Sequence, residues 1–170
     1  MLRNKITEDN SVIKEYIDEI LPRKEILHFV KWQVIIMLIF SHEHIELYAN
    51  NQGEVIFFRQ RDGPFMPSLK LLHKYPFMLP HMQVDRGAIR FVLNGSNVMC
   101  PGLTSPGAKM TQVPENCVVA VTAEGKQHAL ALGITKMSSE DMYVSWGPFR
   151  KIIFIYRSPD LIASPRLITH

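Results

Sequence analysis

The chain has 170 residues, 46% of them hydrophobic and 21% charged, a balance by which most of it should fold rather than stay disordered, as one domain or two small ones. Two cysteines, Cys100 and Cys117, are too few for a disulfide framework or a structural zinc site, and the polar start MLRNKITEDN has no apolar core or cleavage site, so a cytoplasmic setting is expected. The net charge of +3 resides in residues 143–170, with four basic and one acidic side chain, while residues 1–79 and 80–142 are each balanced, so overall basicity is no argument for nucleic acid.

Residues 11–21 read as an amphipathic helix. Ser11 is the N-cap, Val12, Ile13, Tyr16, Ile17, Ile20 and Leu21 recur at helical spacing, and Pro22 stops the run. Residues 43–48 and 54–60 read as a hairpin turned by Asn50-Asn51-Gln52-Gly53. Asp62-Gly63-Pro64 breaks the second strand, and Pro67 starts a short helix through Leu69, Leu72 and Tyr75. Pro76 and Pro80 bracket a domain boundary.

The second half opens with Asp85 as an N-cap; Ile89, Val92 and Leu93 share one helix face and Gly95 takes the left-handed position after it. Residues 98–109, with Pro101-Gly102 and Ser105-Pro106-Gly107, read as turns. Cys117–Ala123 is a buried strand, and Glu124-Gly125-Lys126 turns it into a second strand carrying Leu130, Leu132 and Ile134. The fold class is therefore α+β: an N-terminal mixed α/β unit, then a compact unit with a small mixed barrel.

No constellation carries catalysis or a cofactor. Gly102–Lys109 has the composition of a phosphate-binding loop, but no Ser or Thr follows the lysine and Pro106 lacks the backbone N–H such a loop needs. His42 and His44 supply at most two metal ligands. The cysteines have no CxxC spacing or neighbouring histidine, and read as buried small hydrophobes. Between residues 59 and 90, Arg59, Arg61, Lys70, Lys74, Arg86 and Arg90 face only Asp62 and Asp85, a local basic window interleaved with aromatics. Most of Phe57, Phe58, Phe65, Tyr75 and Phe77 read as core; Phe65 and Phe77, beside prolines, are the candidates for stacking on bases.

The stretches FFRQRDGPFMPSLKLLHKYPFMLPHMQVDRGAIRFVLNGSNVMCPGLTSPGAK (57–109) and AEGKQHALALGITKMSSEDM (123–142) closely resemble the malignant T-cell-amplified sequence proteins, with weaker support from residues 17–24 and 42–47. The resemblance implies a pre-PUA domain over residues 1–79 and a PUA domain, a small pseudo-barrel that binds RNA, over residues 80–142. It implies a non-enzymatic translation factor paired with density-regulated protein on the small ribosomal subunit, acting in reinitiation, release of deacylated tRNA, recycling and initiator-tRNA delivery. It also implies an RNA groove flanked by Arg86, Gly87, Ala88 and Arg90 of a helix, Gly102 and Leu103 of a glycine loop, and Lys109 beyond it. No cofactor, metal or membrane is implied.

Residues 32–41 and 143–170 depart from the family, as does the shorter helical N-terminus. Both segments read as translated intron or, for the second, an alternative C-terminus, with Lys151–Tyr156 (KIIFIY) a candidate substitute for the family's closing strand. The rival reading that this departure creates is a protein-interaction module that docks its partner but has lost RNA binding.

Overall fold

Asn50 organises the first sheet. Its side-chain oxygen accepts the backbone N–H groups of Gln52 at 3.0 Å and Glu54 at 2.9 Å, closing the turn between two strands. The computed structural model describes residues 2–9, 11–22, 27–33, 44–60, 63–144 and 151–156. Most of the insert at 32–41, together with His42, Arg61, Asp62 and the tail at 145–150 and 157–170, lies outside the described residues. The chain divides into two units, Met1–Leu71 and Leu72–His170.

In the first unit α1 (Leu2–Asp9) precedes a 3-10 turn (Ser11–Glu15) and α2 (Ile17–Ile20). The single helix expected over 11–21 is thus broken at Tyr16, whose N–H bonds back to Ile13 O in the tighter i→i+3 pattern. β-branched Val12 and Ile13 weaken the α-helical alternative. Ile13, Ile17 and Ile20 are still buried on one side, and Arg3 pairs with Asp18 at 2.6 Å to join α1 to α2.

β1 (His28–Gln33), β2 (His44–Ala49), β3 (Val55–Gln60) and β4 (Met66–Pro67) form an antiparallel sheet in chain order. The hairpin read from sequence is β2–β3, with Leu47 opposite Phe58 and Tyr48 opposite Phe57. Pro67 does not start a helix; it lies in β4 opposite Phe57, and α3 (Leu69–Lys74) begins two residues later, with Ser68 Oγ accepting Leu71 N–H. Phe65 is 2% exposed, packed against the Tyr48 ring at a 60° tilt and covered by the Arg59 guanidinium at 5.0 Å, so it is core and not a base-stacking surface. Phe77 is 42% exposed and meets the Tyr75 ring edge-on, 6.0 Å between centroids.

The second unit carries β5 (His81–Val84), α4 (Ile89–Leu93), β6 (Val98–Met99), α5 (Cys100–Thr104), β7 (Lys109–Met110), β8 (Val118–Ala123), β9 (Ala131–Thr135), α6 (Ser139–Val144) and β10 (Lys151–Tyr156). Its strands run β6-β10-β9-β8-β5-β7 as a six-stranded half-barrel, antiparallel except for β5 with β8. Every residue of β8 is buried, because both its faces are covered; this explains its continuous apolar run. Met82, Val84, Val119, Val121, Met142, Ile152 and Ile153 form the core with Leu103.

β10 lies between β6 and β9, with Phe154 opposite Ile134 and Ile155 opposite Gly133. KIIFIY therefore completes the sheet. Gly133 is the point of closest approach: a Cβ there would overlap Ile153 Cγ2 and sit 3.0 Å from Phe154 O.

Candidate nucleic-acid interface

The site begins where β5 ends. Asp85 takes the N-cap position read from sequence, its Oδ1 accepting Ala88 N–H at 2.7 Å. A 3-10 turn (Arg86–Ala88) leads into α4, and Gly95 follows it at φ +79°. Only Val92 of the expected apolar trio is fully buried; Leu93 is 61% exposed, because the 3-10 entry and the short α4 leave it on the outer side.

Residues 100–104 are a helix rather than a turn. Pro101 stands in the first turn, where its missing N–H would have no intrahelical partner, and Gly102 is close-packed: a Cβ on it would come 3.3 Å from Ala88 Cβ. Gly102 O accepts Asp85 N–H at 3.1 Å, so the cap of one helix is tied to the body of the other.

Between these two helical segments lies a groove of about 570 Å³, lined by Gly87, Ala88, Arg90 and Gly102, together with Phe91, Asn97 and Met99. Phe91 is 49% exposed and the Arg90 guanidinium stands 4.7 Å above its ring. Such a ring-and-cation platform suits a flat, electron-rich ring, and the groove is of a size for small ligands. Asn97 Oδ1 accepts the Ile155 N–H at 3.1 Å, so a groove residue is anchored on β10, in the segment that departs from the family.

Of the seven residues expected at an RNA groove, Gly87, Ala88, Arg90 and Gly102 line this one. Leu103 is 2% exposed and packs in the core of the unit, so its side chain faces away from any ligand. Arg86 and Lys109 lie outside the groove lining. Arg86 is 77% exposed, with its Nε 3.6 Å from Glu124 Oε2, and Lys109 projects from β7 opposite Gln83. Sequence reading missed Phe91 and Asn97 of the groove lining; the aromatic next to Arg90 was the one visible signal.

Among the described residues, Arg59, Lys70 and Lys74 of the basic window are engaged locally; Arg61 lies outside the described residues. Arg59 pairs with Glu46 at 2.5 Å, Lys70 with Glu54, and Lys74 stands over Tyr75. Burial pushes the Cys117 thiol above its ordinary pKa, which disfavours the thiolate. Among the described residues no group of three His, Cys, Asp or Glu side chains is placed to hold a metal ion. No helix among them is long and apolar enough to cross a membrane.

Comparison with known proteins gives the geometry a family. A Pre-PUA-like domain model matches residues 1–76 and a PUA domain model matches residues 80–145. Malignant T-cell-amplified sequence 1 of Rattus norvegicus is 52% identical over 141 residues, covering 83% of this chain and 72% of that protein. Malignant T-cell-amplified sequence 2 of Homo sapiens is 51% identical over the same length, with the same coverage. A conserved PUA domain protein from Thermoplasma acidophilum shares the fold, with a TM-score of 0.60 at 20% identity, over 92% of this chain and 90% of that one. The chain belongs to the malignant T-cell-amplified sequence family, with a pre-PUA domain followed by a PUA domain.

Proposed function

We propose that this chain is a cytoplasmic, non-catalytic RNA-binding translation factor that works with a density-regulated-protein-like partner on the small ribosomal subunit. Its role in this reading is translation reinitiation, tRNA release and recycling. Residues 1–79 form the pre-PUA domain, and residues 80–142, with the tail from 143 supplying the closing strand, form the RNA-binding domain. RNA is met by Gly87, Ala88, Arg90 and Gly102 in the groove and by Arg86 and Lys109 beside it; Leu103 contributes through its backbone and packing.

The observation that carries the reading is the convergence of Gly87, Ala88, Arg90 and Gly102 on one groove floored by apolar side chains and topped by the Arg90–Phe91 platform. Glycines permit close approach of a backbone, and the platform offers stacking with a charge for phosphate. The rival reading, partner docking without RNA binding, loses support because β10 fills the gap in the sheet and holds Asn97 in the groove wall.

Two measurements test it together: pull-down of density-regulated protein, and tRNA binding titrated against salt. Wild type is expected to do both. Arg86→Glu with Lys109→Glu should retain the partner but weaken tRNA binding and flatten its salt dependence. Unchanged tRNA affinity in that variant overturns the placement, and partner capture with no tRNA binding by wild type restores the rival.

A further inference from the structure

The walls of the groove are mainly apolar: Ala88, Phe91, Val92, Val98, Met99 and Pro101 line it. Of its polar side chains, Asp85 is engaged in the helix cap and Asn97 Oδ1 in the bond to Ile155. Phosphate gains nothing from such walls, and a base stacked on Phe91 uses only one of them. Aliphatic side chains, which leave water favourably for an apolar surface, suit the rest.

β10 delivers the chain to that groove. It runs antiparallel to β6, with Lys151 opposite Met99 and Ile153 opposite Val98, and Ile155 N–H then meets Asn97 at 3.1 Å. The strand thus passes the groove-lining residues in reverse order, and it ends at Tyr156, one residue beyond that bond. Ser96, next in the same order, also lines the groove. The sequence that follows, RSPDLIASPRLITH (157–170), holds the pattern Ser-Pro-x-Leu-Ile twice, at 158–162 and 164–168. The copies differ at the middle position, Asp160 in the first and Arg166 in the second.

Charge and reach choose between the copies. The Arg90 guanidinium lies on the Phe91 ring, and among the described residues no carboxylate pairs with it. Asp160 offers that carboxylate, whereas Arg166 would bring a like charge. Five residues carry the chain from Tyr156 to Leu161, a span of up to roughly 17 Å. We propose that residues 158–162 dock in the groove of their own chain, Leu161 and Ile162 against the walls at Phe91 and Met99 and Asp160 against Arg90. Tethering through β10 gives the segment an effective concentration on the order of millimolar, so a weak contact suffices. Tail and RNA then compete for one groove, and the tail holds RNA affinity down. The competition, unlike the docking, rests on the RNA-binding reading above.

The test uses the full chain labelled with methyl-13C methionine, in which Met99 reports the groove by NMR; its resonance is assigned by its loss in Met99→Leu. Leu161→Ser with Ile162→Ser is expected to shift that resonance while the buried Met82 and Met142 stay in place, which establishes that the fold is intact. Asp160→Arg should shift it in the same direction, and Leu167→Ser with Ile168→Ser should not. A synthetic peptide of residues 157–170, added to the Leu161/Ile162 variant, should return the resonance toward its wild-type position. That variant should also bind tRNA about three- to tenfold more tightly than wild type, by fluorescence anisotropy. An unmoved Met99 resonance overturns the docking. So does a wild-type position that reverts to that of the variant on dilution, which would assign the occupant to a second copy. A shifted resonance with unchanged tRNA affinity overturns the competition. If neither protein binds tRNA while the resonance still shifts, the docking stands and the RNA-binding reading fails.

Discussion

In residues 1–71 the sheet order is the chain order, β1-β2-β3-β4, whereas in residues 72–170 the strands interleave as β6-β10-β9-β8-β5-β7. The first sheet is built by successive reversals, so each pairing is specified by the turn beside it. The second depends on partners distant in sequence: β5 pairs in parallel with β8, and β10 inserts between β6 and β9. A local sheet tolerates change outside its turns. The interleaved sheet makes the groove hostage to a strand residue 58 positions away, through the bond from Ile155 to Asn97.

The largest expected effect tests that dependence. Ile153 is wholly buried, and Ile153→Ala should cost about 2–5 kcal/mol in urea denaturation, with hydrogen exchange accelerating in β8 and β9. A cost below about 1 kcal/mol, the level of a surface substitution, would show that β10 is dispensable. Next comes Gly133→Ala, whose methyl group would overlap Ile153 Cγ2; about 1–3 kcal/mol is expected. Combining it with Ile153→Ala should recover part of that loss by opening space, and strict additivity would remove the overlap as its cause.

Arg59→Ala sharpens the comparison from the first unit. It removes the partner of Glu46 and the cation over Phe65, both partly buried, and should cost about 1–2 kcal/mol. Asp85→Ala, which deletes the cap at the groove mouth, should cost about 1 kcal/mol, and Asp85→Asn should restore most of it. A failure of Asn to rescue would assign the effect to charge rather than to capping.

The smallest effect is on pH. Burial first, and then the hydrogen bond to Glu46, hold the Tyr48 phenol above its ordinary value of 10.0. A raised folded value means a stabilising contribution that is complete below pH 10 and is lost as pH rises through the folded value. The urea midpoint of wild type should therefore fall more steeply above about pH 10 than that of Tyr48→Phe. Parallel profiles would place the titration elsewhere.

What was legible in the sequence follows the same division between local and distant. The β2–β3 hairpin was readable because Asn50 and Gly53 encode their own turn, and Asp85 was readable because a cap is decided within three residues. β1 was missed because His28 and Lys31 obscure its alternation. Pro101-Gly102 suggested a turn, yet a proline in the first turn is helix-compatible, and a glycine can be required by a neighbour's methyl group. The cations of the candidate site stood out by residue type. Their separation into a groove around Arg90 and an edge around Arg86 did not, because it depends on which side of a 3-10 turn each residue leaves.

The position of β10 also imposes a schedule. A chain emerging from its N-terminus completes the β1–β4 sheet once residue 67 is free, but the second sheet lacks an internal strand until residue 156 is made. At about 5–20 residues per second that interval lasts roughly 4–18 s. Throughout it, the edge of β9 that β10 will occupy presents unpaired backbone groups in an apolar strand, a template for wrong partners. The strand that completes the sheet is also the one for which the nascent chain must wait longest.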